Sequence, residues 1–208
     1  MSGAAFELIA VGDPRLAASR DPERSRARLV EARLDDPGRD HERQRVLALL
    51  GEQGAELADR TTAPGHLTGS ALVVDAEHRR VLILLHAKLH RWLQPGGHAD
   101  GDHELAGVAL REATEETGIV GLQVLVPAVD LDLHAVDHGD ALGEHLHLDL
   151  RFVVVAPPGA VEVGNHESLG LRWVTMEELG DVADEPGLVR LAQAGFAALD
   201  EMDRPPRP

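Results

Sequence analysis

The chain has 208 residues, of which 43% are hydrophobic, and sets 36 Asp and Glu against 20 Lys and Arg for a formal charge of −16. That length suits one main core with a small arm rather than two full domains, and the charge repels nucleic-acid backbones and anionic membrane surfaces, so neither a polymeric nucleic acid nor a membrane is expected as a partner. Cysteine is absent, which excludes disulfides, thiolate metal sites and cysteine nucleophiles.

The apolar stretch from Ala4 to Val11 is short, is interrupted by Glu7 and lacks the basic flank of a secretory signal. No run reaches the ~18 to 20 apolar residues needed to span a bilayer, so a cytoplasmic location is expected. Glu23 to Leu34 and His41 to Leu57 carry apolar residues at helical spacing, separated by the breaker Asp35-Asp36-Pro37-Gly38. Residues 1–64 therefore read as a helical N-terminal arm or cap.

From Leu67 the period becomes strand-like. Ser70 to Val74 and Val81 to Leu85 read as a hairpin, and a glycine-rich loop then leads into a helix from about Glu104 to Thr117. Leu131 to Val136 and His145 to Val155 alternate, with Leu146, Leu148, Leu150 and Phe152 on one face and His147, Asp149 and Arg151 on the other. One face packs and the other is polar. Thr175 to Glu178 has the spacing of a capping box, and Pro186 opens a last helix running to about Met202. The expected division is a domain over 65–203 and a flexible tail over 204–208.

The chemistry concentrates in Gly96-Gly97-His98 and the helix after it. On a helical wheel Glu112, Glu115 and Glu116 fall within an arc of roughly 100°, beside a stripe of Ala106, Ala109, Leu110, Ala113 and Thr117 that is expected to be buried. Like charges at these spacings each cost a helix about 0.2 to 0.5 kcal/mol, and acidic groups in the last turns oppose its dipole. Arg111 offsets part of that repulsion. A hard divalent cation with oxygen ligands would offset the rest, and Mg²⁺ or Mn²⁺ suits carboxylates shared with substrate phosphates.

These residues resemble, position by position, the signature of the Nudix hydrolases, G-x5-E-x7-R-E-U-x-E-E-x-G-U with U a bulky aliphatic. Gly97, Arg111, Glu112, Glu115, Glu116, Gly118 and Ile119 fit across 23 residues. Ala113 is small where an aliphatic is usual. His103 takes the place of the first glutamate, with Glu104 one residue later: either Glu104 substitutes after a local shift or His103 serves differently.

The resemblance implies an α/β fold, a Nudix-type α/β/α sandwich around a mixed sheet, here with an N-terminal helical extension. It further implies hydrolysis of a pyrophosphate bond in a nucleoside diphosphate linked to another group, with Glu112, Glu115 and Glu116 as metal ligands, Arg111 orienting them and water as nucleophile. Glu167 resembles the loop glutamate from which such enzymes take a further ligand or general base; otherwise it is an ordinary exposed loop glutamate.

Gly96 and Gly97 suit close backbone approach to phosphate, while His98 either contacts substrate or follows the glycines in a turn. Arg151 suits a phosphate or carboxylate if its strand face lines a pocket. His145 and His147 share a strand face, a spacing that can bind zinc, but no third ligand is evident in the sequence. Two other functions compete: a non-catalytic sensor on the same fold, and an interaction protein whose acidic helix face is merely solvated. A homodimer is compatible with any of them.

Overall fold

The computed structural model describes residues 5–75, 77, 79–136, 143–166, 168–183 and 186–204. The first described strand, β1 (Glu7–Ala10), has no counterpart in the sequence expectations. It pairs antiparallel with β6 along an edge of the sheet. Two helices follow, α1 (Pro22–Glu31) and α2 (Pro37–Gln53). Each opens on Asp-Pro: Asp21 accepts the amide of Glu23, and Asp36 that of Gly38, while the proline at the first helical position has no N–H left to satisfy. A short 3₁₀ turn, Gly54–Ala58, completes the arm.

Strands β2 (Gly65–Asp75), β3 (Arg80–His86), β4 (Trp92–Leu93) and β5 (Gly96–His98) precede α3 (Leu105–Thr117). Then come β6 (Gln123–Val136), β7 (His145–Ala156), β8 (Ser168–Val174), α4 (Met176–Val182) and α5 (Pro186–Met202). The capping box at Thr175 and Glu178 forms with both of its hydrogen bonds.

The strands order as β1-β6-β7-β2-β3-β4, with β5 also on β2 and β8 also on β3. Only β2 and β7 run parallel, from Gly65 opposite Leu146 to Asp75 opposite Ala156, among the described strand pairs. The sheet is therefore mixed.

Period-2 alternation divides it between two cores. Leu67, Ala71, Val73, Leu148, Leu150 and Phe152 join residues of α1, α2 and α3 on one side. Leu72, Val74, Val153 and Val155 meet Leu188, Leu191 and Ala192 of α5 on the other. This is the expected α/β/α arrangement. Among the described residues no helix is long and apolar enough to cross a membrane.

Candidate active site

Helix α3 buries the expected stripe: Ala106, Ala109, Ala113 and Thr117 are fully buried and Leu110 nearly so. That orientation leaves the carboxylates at its edge. Glu116 is 5% exposed and accepts the amide N–H of Gly96 at 3.0 Å. Glu112 is half-buried against Gly97, where a Cβ would run into its carboxylate. Glycine permits this close approach, and a larger residue would oblige the Glu112 side chain to shift.

Glu115 is exposed. Arg111 donates to Glu112 at 3.1 Å and lies 3.5 Å from Asp102, so it serves those two carboxylates. Gly118 closes the helix in the left-handed region at φ 65°.

His103 does not point at this cluster. It is fully buried, with Nδ1 at 2.9 Å from the Ser25 hydroxyl and Nε2 at 3.1 Å from the Ala55 carbonyl. Glu104 turns away as well, 1% exposed and 2.7 Å from Arg28. Burial pushes the Glu104 carboxyl up, and Arg28 and Arg24 pull it back in part. Asp102 accepts the amides of Ser19 and Glu104, and Gly101 donates to the Ala58 carbonyl. The loop before α3 is thus held from outside by the N-terminal arm, and His103 is one of its anchors.

Arg151 is 2% exposed. Its guanidinium lies 2.7 Å from Asp149, 3.0 Å from Asp132 and 3.5 Å from Asp130, and Arg190 of α5 bonds Asp130 and Asp132. Burial alone would lower the Arg151 pKa, but the three aspartates outweigh it and raise it. Burial opposes ionisation of Asp132 too, and there His134 and Arg151 prevail and hold the carboxyl low. The polar strand face is therefore closed over by the start of α5 and committed to ion pairs.

Farther along that face, His66 of β2 stands opposite His147 of β7, two residues from His145. His98 of β5 reaches the same side, being paired with Thr68. The four imidazoles place candidate ligand nitrogens within 4.8 Å of one another. Burial, then the neighbouring imidazoles, pull His66 down to about 4 and His147 to about 2. His98, expected at the substrate or in a turn, belongs to this group. The spacing of His145 and His147 was the only sequence signal for it; His66 and His98 had none.

Glu167 lies outside the described residues, but its neighbours are placed. Asn165 donates to the Glu115 carbonyl at 3.2 Å, and Val163 to that of Thr117 at 2.7 Å. The loop before β8 therefore packs on the C-terminal turn of α3.

The carboxylate cluster fits a hard divalent cation. Its side-chain donors are oxygens, and Gly97 lets the Glu112 carboxylate lie directly against the backbone beside them.

The comparisons with known proteins bear on the family and the fold. The NUDIX domain matches residues 65–194, more than half of the chain. No curated protein matches the sequence. A NUDIX-family hydrolase from Clostridium perfringens is similar in structure, with 22% identity and a TM-score of 0.51, over 66% of this chain and 98% of that one. The C. elegans Ap4A hydrolase is matched at 18% identity and a TM-score of 0.49, over 64% and 95%. The first of these supports the fold, and the domain match, together with the glutamate helix set against Gly96 and Gly97, makes this chain a member of the Nudix hydrolase family.

Proposed function

We propose that the protein hydrolyses a pyrophosphate bond in a small nucleoside diphosphate derivative, with Mg²⁺ or Mn²⁺ held by Glu112, Glu115 and Glu116. The observation that carries this reading is the contact of both buried-side glutamates with the glycine pair, Glu116 through the Gly96 N–H and Glu112 against Gly97. When bound there, the cation neutralises charge developing on the phosphoryl oxygens and lowers the pKa of the attacking water.

The remaining work falls to the chain. Gly97 lets the Glu112 carboxylate lie against the backbone, and Glu116 fixes the orientation of that backbone. Arg111 holds Glu112 in place and offsets repulsion within the acidic helix. The water oxygen attacks one phosphorus as its bond to the bridging oxygen breaks, giving two phosphate monoesters, a nucleoside monophosphate and the phosphorylated second group. The water's proton passes to Glu115, exposed on α3, or to Glu167, which the family resemblance suggests as base. Arg151 is better read as a support beneath the site than as a substrate contact.

A non-catalytic sensor would also bind a nucleotide derivative, but the replacement of the first box glutamate does not favour it. His103 has a structural task that leaves the other carboxylates in position. The test is to separate the two phosphate monoesters formed from each of a panel of nucleoside diphosphate derivatives with Mg²⁺ or Mn²⁺, comparing the protein with Glu116→Gln. Turnover of one compound, lost in the variant, supports hydrolysis. Thermal stabilisation by a compound without cleavage supports the sensor.

A further inference from the structure

We infer that His66, His98, His145 and His147 form a second metal site, for one zinc ion or a similar imidazole-preferring transition-metal ion, separate from the box carboxylates. Three strands converge to build it. The parallel pairing of β2 with β7 sets His66 directly beside His147, the period of β7 brings His145 to the same face, and β5 adds His98 from the other edge of β2. The His66 ring lies 4.9 Å from those of His98 and His145 and 5.1 Å from that of His147.

Four imidazoles packed together make a poor core. Both ring nitrogens of His66 are buried without a hydrogen-bond partner among the described residues. Such orphaned groups are costly in an interior, and a metal ion satisfies a ring nitrogen as a proton donor would. His145 carries the outer support typical of a ligating histidine. The Gly143 carbonyl can only accept, so at 2.8 Å from Nδ1 it fixes the proton there and leaves the Nε2 lone pair for a metal. His134 is outside the set, turned to Asp132 at 3.0 Å.

The dimensions suit the ion. Tetrahedral zinc with Zn–N bonds of about 2.0 to 2.1 Å needs nitrogens roughly 3.3 Å apart. Starting within 4.8 Å of one another, the nitrogens reach that spacing by moving inward by roughly 1 Å or less. An all-imidazole set favours zinc, copper or nickel over magnesium, which prefers oxygen. Four protein ligands also leave no open position, as in structural zinc sites. The ion would tie β5 to β2 and β7 immediately after Gly97, bracing the loop on which the box carboxylates rest.

The experiment uses the untagged full-length protein, stripped with a chelator and titrated with Zn²⁺ and, separately, Co²⁺ in buffer without Mg²⁺. The expected result is one tightly held zinc per chain and the intense visible bands of four-coordinate cobalt. His147→Asn and His66→Asn should each weaken zinc binding by at least ~100-fold, more than loss of an outer-shell group does. Glu116→Gln should leave the zinc stoichiometry and the cobalt spectrum unchanged. His145→Ala, at the half-buried start of β7, supplies the same test if the buried variants fail to fold. Zinc binding that is absent, survives the histidine changes, or disappears with Glu116→Gln overturns the site. Turnover is not among the readouts, so failure here is distinct from failure of the hydrolase assignment.

Discussion

Glu116, near the end of α3, holds the amide of Gly96 at 3.0 Å, joining two residues twenty positions apart into one fixed corner. That corner sets the distance between backbone and carboxylates. Glu116→Gln keeps the shape and an acceptor oxygen but removes the charge. Turnover should fall by at least ~100-fold, since a bound cation contributes several kcal/mol to the transition state. Stabilisation by Mn²⁺, read as a rise in melting temperature, should shrink with it. An unchanged Mn²⁺ response would remove Glu116 from the ligand set.

Gly97→Ala tests the close approach itself. The added methyl meets the Glu112 carboxylate, so one of the two must shift. A displacement near 1 Å is enough to cost about 100-fold in rate. The loss should appear in kcat/KM while the melting temperature falls by only a few degrees. Near-normal activity would mean that Glu112 yields without consequence.

His103→Glu restores the residue usual in the family signature and should nevertheless harm this protein. A carboxylate there would face the Ala55 carbonyl, two acceptors without a proton between them. Burying that charge is expected to cost about 3 kcal/mol or more. Chemical denaturation reads the loss directly. A variant as stable as the parent would show that the anchor has little energetic weight.

Arg28→Ala removes the main partner of buried Glu104 and should destabilise by about 3 kcal/mol at pH 8. The effect has a sign in pH. The folded-state pKa of Glu104 is already raised by burial and rises further once Arg28 is gone. Between the unfolded and folded values the native state holds the extra proton, so stability falls as pH rises through that window. The deficit should therefore be smaller at pH 5 than at pH 8. An equal deficit at both would place the Glu104 titration elsewhere.

Arg151→Ala distinguishes support from substrate contact. It leaves Asp130, Asp132 and Asp149 buried with one guanidinium fewer, which is expected to cost about 3 to 5 kcal/mol. A raised KM with an unchanged melting temperature would return Arg151 to the substrate.

The box helix was legible because its periodicity and its carboxylates lie within one local stretch. Its stripe from Ala106 to Thr117 is buried as the wheel requires. Relationships set by distant pairing were not legible. His103 meets Ser25 across 78 residues, and nothing local to either announces the other. His66 and His98 acquire meaning only through the register of β2 with β7 and β5. Alternation in β7 separated Arg151 from the leucines correctly, but could not reveal that α5 would cover the polar side. The edge strand at Glu7–Ala10 is too short to carry a period of its own.

The arm's grip on the loop before α3 separates two notions of a domain. The family match begins at residue 65, yet Glu104, His103, Asp102 and Gly101 are held by Arg28, Ser25, Ser19 and Ala58. A fragment starting at Gly65 would hold the whole family match and yet lack the residues that anchor the loop before α3. In this protein the helices outside the family match shape a loop that the match contains.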